Sequence, residues 1–106
     1  MIFGIRGNIT KKELPRVVNR LTKSLEKKKA GYFLERSLAA LIAKQYRIKI
    51  PKRLIKSDKE IARLSDFIIS IGGDGTFLAT AKLVSSRNIP IIGVNLGMLG
   101  FLAETS

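Results

Sequence analysis

Residues 70–81 read SIGGDGTFLATA, with three glycines and one carboxylate in four consecutive positions, after an apolar run and before apolar residues at helical spacing. Glycines at 72, 73 and 75 strip the backbone of side chains, which frees its dihedrals and lets its N–H groups approach a ligand closely. A helix starting near Thr76 would aim its positive end at the same place, where phosphate is the natural guest. Asp74 complicates that picture, because a carboxylate repels bound phosphate unless a metal ion mediates or the carboxylate is there to take a proton. Phosphoryl transfer to a hydroxyl reconciles the two, with Asp74 as general base and Mg²⁺ or another divalent cation arriving with the phosphates. A purely structural reading stands beside it: Gly-Gly and Asp-Gly are turn formers, and Asp caps helices. Taken alone, the segment supports both equally.

Other chemistries are closed off by composition. The 106 residues contain no cysteine and no histidine, which removes disulfides, thiolate nucleophiles, imidazole bases and the usual zinc sites. Catalysis is left to carboxylates, hydroxyls, lysines and backbone amides, and only eight carboxylates exist. The better-known nucleotide motifs do not fit. There is no G-x-x-x-x-G-K-[ST], and the G-x-G beginning at Gly73 has Leu78 where a dinucleotide fingerprint needs its third glycine. No acidic residue stands at the ribose-binding distance either.

A second glycine cluster, Gly93-Val94-Asn95-Leu96-Gly97-Met98-Leu99-Gly100-Phe101, follows the next apolar run. In an open α/β sheet two neighbouring strand ends of this kind form one crevice. Together, "IGGDGTFLATA" and "IPIIGVNLGMLGFLAE" closely resemble the NAD kinase family, in which a GGDGT and an NLGxLGF motif occur in this order at about this spacing. The resemblance is strong over residues 66–104 and rests on the α/β pattern alone before that. Phosphofructokinases and the diacylglycerol and sphingosine lipid kinases share a GGDG loop, so a sugar or lipid kinase is the alternative enzyme reading. The second motif favours NAD kinase.

That resemblance implies transfer of the terminal phosphate of ATP, or of polyphosphate, to the 2′-hydroxyl of the adenosine ribose of NAD, giving NADP. Asp74 matches the family's proton acceptor, and Asp74 with Gly75 matches residues that contact NAD. Gly72, Gly73 and Thr76 complete the phosphate-facing loop. Phe101 matches an aromatic that lies against the dinucleotide, with a core role as its alternative. Some members carry a basic residue where this sequence has Ala79. The resemblance also implies a β-rich second domain, with an Asn-Glu pair and most of the other NAD contacts, after the point where this sequence reaches Ser106. Residues 1–106 thus read as a single first domain, expected to fold but to bind NAD weakly and to turn over little by itself. Homo-oligomers are what the resemblance suggests for the whole protein.

The elements that must position these residues follow from hydrophobic periodicity. Ile2–Ile5 reads as a strand, and a helix runs from about Lys12 to Lys28 with Leu14, Val17, Val18, Leu21 and Leu25 on one face. Pro15 must lie in or near its first turn. Gly31–Leu34 reads as a strand and Ser37–Gln45 as a helix with Leu38, Leu41 and Ile42 inward. Residues 46–56 alternate apolar and basic around Pro51, as an edge strand or an exposed connection. Ser57 and Glu60 make a capping box at the head of a short helix to about Leu64. Phe67–Ile71 and Pro90–Val94 read as strands buried on both faces, with Phe77, Leu78, Ala81 and Val84 between them as the inward stripe of a helix. Strand and helix alternate throughout, which predicts an open, mostly parallel, Rossmann-like α/β sheet with helices on both faces.

The net charge of +12 is lopsided. Residues 1–63 carry eighteen Lys and Arg against five Asp and Glu, a net of +13, and residues 64–106 carry two against three, a net of −1. A basic half of this kind suits a non-catalytic module for an acidic partner. Lysines on outer helix faces are commonly just solvated, however, and no ladder of aromatics accompanies them, so nucleic-acid binding is disfavoured. No apolar run is long enough to span a membrane and no secretory leader is visible, so a cytoplasmic protein is expected.

Overall fold

A computed structural model describes residues 1–97. Among these, strands and helices alternate as β1 (Ile2–Gly7), α1 (Leu14–Lys27), β2 (Gly31–Glu35), α2 (Arg36–Tyr46), a 3₁₀ turn at Lys52–Leu54, β3 (Ile55–Lys56), α3 (Asp58–Leu64), β4 (Phe67–Gly72), α4 (Asp74–Leu83) and β5 (Ile91–Asn95). The strands form one sheet in the order β3-β2-β1-β4-β5, and every pair is parallel. The chain builds outward from β1 through β2 to β3, then returns past β1 to lay down β4 and β5. The order reverses between β1 and β4, and crevices for ligands open at the carboxyl ends of strands at such a reversal.

Alternation along each strand sorts the two faces. Ile5, Ile69 and Ile71 pack with Leu14, Val18, Leu38 and Ile42 from α1 and α2. On the other face, Ile68 packs with Ile61, Ala62 and Val84 from α3 and the end of α4. Gly4 lets α3 come close, since a Cβ there would meet Ser65 Oγ and lie 2.6 Å from Ile61 Cγ2. β4 is buried almost end to end, as its unbroken apolar run predicts. Pro15 sits in the first turn of α1, and the Ser57–Glu60 capping box forms at the head of α3 with both reciprocal bonds in place.

Two expectations need correction, and one open alternative is resolved. β5 is not buried on both faces: among the described residues it is an edge strand paired with β4, and Ile92 is 44% exposed. In α4 the stripe is only partly inward: Val84, just past its end, is buried, Phe77 and Leu78 are 41% and 64% exposed, and Thr80 is fully buried against the sheet. One residue's shift in helical phase rotates a side chain by about 100°, and here the Thr80 hydroxyl, hydrogen-bonded to Arg6 and Ser70, faces the sheet. Residues 46–56 resolve into both alternatives, an exposed connection ending in the two-residue edge strand β3, which pairs Leu34 with Ile55.

Candidate active site at the end of β4

β4 ends at Gly72 and α4 begins at Asp74, so a single residue, Gly73, turns strand into helix. The helix starts two residues earlier than its periodicity predicts, and Asp74, Gly75 and Thr76 are its first turn. The N–H groups there have no acceptor within the helix, while the next one, on Phe77, already donates to the Gly73 carbonyl at 3.1 Å. Unsatisfied donors and the positive end of the helix dipole are thereby directed at the carboxyl edge of the sheet.

The capping reading of Asp74 fails on geometry. Gly73 holds the N-cap position and no side chain caps the helix. Asp74 is exposed, and among the described residues its carboxylate accepts no hydrogen bond and pairs with no cation. A carboxylate at a strand–helix junction, next to bare N–H groups and without an internal partner, is available to an external one.

The three glycines divide by role. A Cβ on Gly72 would lie 2.9 Å from Thr76 Cβ and 3.1 Å from Asn8 Cβ, so packing demands glycine there. At Gly73 and Gly75 a Cβ would meet nothing within 4 Å. Nor do dihedrals require them, since no described glycine has positive φ; the expected unusual backbone conformation is absent. Fold stability therefore gives no reason for glycine at 73 or 75, and close approach of a ligand to the backbone does.

The register places Gly72 opposite Asn95, so the two glycine-bearing bends are adjacent. Between them opens a cleft of ≈ 140 Å³, with Gly72, Gly73 and Asp74 on one side, Gly93, Val94 and Asn95 on the other, and Ser70 and Phe77 completing it. Small-molecule pockets commonly span about 300–1,000 Å³, so the described residues enclose only part of a nucleotide-sized ligand. Phe77 lies over Gly93, its Cδ2 3.0 Å from where a Cβ would be, which explains the glycine in the middle of β5. Asn95 Oδ1 accepts the Gly97 N–H at 2.9 Å.

The structure thus brings Gly72, Gly73, Asp74, Gly75 and Thr76 to one turn, with Thr76 packed against Gly72. Phe101 lies outside the described residues. Ser70, Phe77 and Asn95 join the cleft without having been singled out in the sequence. The signal for Asn95 was present in the "NLG" that follows β5, whereas Ser70 and Phe77 sit inside ordinary strand and helix patterns. Among the described residues no three His, Cys, Asp or Glu side chains group to hold a metal ion, and no helix is long and apolar enough to cross a membrane.

Residues 3–106 match the family model of the ATP-NAD kinase N-terminal domain. A protein of Cytophaga hutchinsonii described as an NAD kinase is 35% identical over 106 residues, covering 99% of this chain and 36% of that protein. Another NAD kinase, from Hydrogenovibrio crunogenus, is 39% identical, covering 99% of this chain and 34% of its own length. The chain spans about a third of the length of these curated relatives. Among solved structures, a yeast NADH kinase complexed with NADH superposes with a TM-score of 0.70 at 14% identity, over 88% of this chain and 30% of that one, a likeness of fold.

Proposed function

The chain belongs to the ATP-NAD kinase family, and from that premise we propose that it forms the phosphate-handling part of an enzyme that phosphorylates the 2′-hydroxyl of the adenosine ribose of NAD to give NADP. The donor is ATP or polyphosphate. Asp74 takes the proton of the 2′-hydroxyl as that oxygen bonds to the terminal phosphorus and the bond from phosphorus to the donor's bridging oxygen breaks. The N–H groups at the head of α4, from the N-cap Gly73 through its first turn, receive phosphate oxygens. One observation carries this reading: an exposed carboxylate that has no partner among the described residues stands beside two glycines that the fold does not need. A lipid or sugar kinase is not favoured, because the family match and the curated relatives all point to NAD kinase.

Mg²⁺ or another divalent cation fits this site as a companion of the donor. Such an ion keeps most of its waters and asks the protein for only one or two carboxylates while phosphate oxygens supply the rest. The ion would be held mainly by the donor's phosphate oxygens and water, and it would offset the negative charge of the phosphates while Asp74 stays free to take the proton. The cleft holds only part of a dinucleotide, which accords with weak NAD binding and little turnover by residues 1–106 alone. We place the activity in the cytoplasm, where NAD and ATP meet, and in a homo-oligomer.

The decisive variant is Asp74→Asn in the full-length enzyme. It should lose about a hundred- to ten-thousandfold in turnover, the range of general-base contributions, while folding as the parent does and losing at most the ~0.3–1 kcal/mol that a carboxylate in the first helical turn contributes through the helix dipole. Full turnover in this variant would remove Asp74 from the mechanism.

A further inference from the structure

α4 carries the candidate site on its first turn, yet its one buried residue within the helix is a threonine. Thr80 is fully buried and Ser70, opposite it on β4, is 2% exposed. Thr80 Oγ1 donates to the Thr76 carbonyl at 2.9 Å. With its single proton spent there, the same oxygen accepts from Arg6 Nη1 at 2.6 Å and from Ser70 Oγ at 2.9 Å. Arg6, on β1, is held from its other side by Asp58 of α3, which accepts from Nε at 2.9 Å and from Nη2 at 3.2 Å. The arginine side chain is 17% exposed. Arg6 and Ser70 are register partners, so the two strands flanking the sheet's reversal point present both groups to one oxygen.

We propose that Arg6 and Thr80 are positioning residues for the site at the head of α4. Most of the rest of this face is packed by apolar contacts, which tolerate sliding. Hydrogen bonds are directional, and one from a guanidinium is among the stronger kinds. Thr80 is one turn along from Thr76, and its hydroxyl clamps the Thr76 carbonyl, tying the first turn of α4 to β1, β4 and α3 through a single atom. The clamp fixes the azimuth of α4, and hence where the donors at 74–76 and the Asp74 carboxylate stand relative to β5. Its bearing on catalysis rests on the function proposed above; its bearing on the order of the first turn does not.

The test uses amide hydrogen exchange in the full-length protein together with NAD kinase kinetics. Thr80→Val keeps the shape and removes the hydroxyl, Thr80→Ser keeps the hydroxyl, and Arg6→Met removes the charged donor while leaving Asp58 at the surface. Thr80→Val and Arg6→Met should speed exchange at the Phe77 and Leu78 amides by about tenfold or more, leaving protection in β1 and β4 unchanged, and Thr80→Ser should restore it. Turnover should fall in both variants with a smaller change in KM for NAD. Unaltered protection at Phe77 and Leu78 in Thr80→Val and Arg6→Met overturns the proposal, as does protection lost evenly across the sheet, which marks a purely structural role. Loosened amides with no kinase activity in the unsubstituted protein would uphold the clamp and overturn the function it was proposed to serve.

Discussion

Thr76 is folded over Gly72 so closely that a Cβ added at 72 would stand 2.9 Å from Thr76 Cβ. Two Cβ atoms do not approach to that distance, and Asn8 Cβ closes the other side at 3.1 Å. Gly72→Ala must therefore push α4 away from the ends of β1 and β4. Overpacking of this kind costs ~1–3 kcal/mol, and chemical denaturation should show a loss of that size. A stability equal to the parent's would mean that Thr76 moves aside freely, and that the turn is softer than its packing indicates.

Tyr32 offers a pH-dependent handle on the opposite face of the sheet. Partial burial, and then the hydrogen bond from its hydroxyl to Glu26 Oε2 at 2.7 Å, push its pKa up to about 12. The unfolded chain releases the same proton at about pH 10. The folded state thus binds the proton more tightly, so the stability from this group is whole below about pH 10 and is lost as pH rises through the folded value. With Tyr46→Phe as background, Tyr32 is the single tyrosine. Its tyrosinate absorbance should rise at about 12, and Glu26→Gln should bring that rise to lower pH by removing the neighbouring charge. An ordinary tyrosine titration in the folded parent would show that the Glu26 contact is not held in solution.

What the sequence discloses and what it hides divide along local and non-local lines. The GGDGT turn, the Ser57–Glu60 box, Pro15 in the first turn of α1 and the apolar run of β4 are set by neighbours in the chain, and each is where its pattern puts it. The exposure of β5 depends on what packs over its faces, and among the described residues Ile92 is left 44% exposed, which periodicity does not encode. The buried side of α4 is where Arg6, Ser70 and Thr80 meet, three polar residues from segments up to 74 positions apart. Each reads as a blemish in an apolar pattern, and only the fold shows that the blemishes meet. The division of Gly72 from Gly73 and Gly75 is likewise spatial, since all three look alike in the sequence.

Helix ends were also poorly marked, for a reason that yields a prediction. Lys29, just beyond α1, and Arg47, the C-cap of α2, sit at φ 59° and 51°, in the left-handed region where glycine is usual. Left-handed backbone disfavours an L-residue, and the greater freedom of glycine in the unfolded chain offsets part of that penalty. Lys29→Gly and Arg47→Gly should each stabilise the protein by about 0.5–1 kcal/mol, read as a higher thermal midpoint. Destabilisation by either would mean that the lysine or arginine side chain makes a compensating contact at its helix end.

Gly75→Ala sets stability against function within one substitution. Gly75 lies in the first turn of α4, has no neighbour within 4 Å of a prospective Cβ, and has no positive φ to preserve. Alanine is the better helix former by ~0.5–1 kcal/mol, so the variant should unfold at a higher temperature than the parent. The added methyl would nonetheless stand next to Asp74, in the open space beside Leu78 and Ala79, and it tests whether the proposed NAD or phosphate groups reach that side. In the full-length enzyme KM for NAD should rise by about tenfold or more, since small displacements from a productive geometry are expensive. A more stable protein that binds NAD less well is the combination that only a ligand-facing glycine predicts. Gain of stability with unaltered kinetics would show that the space beside Gly75 is empty in the working enzyme, and would move the phosphate-binding face to Gly73 and the far side of the cleft.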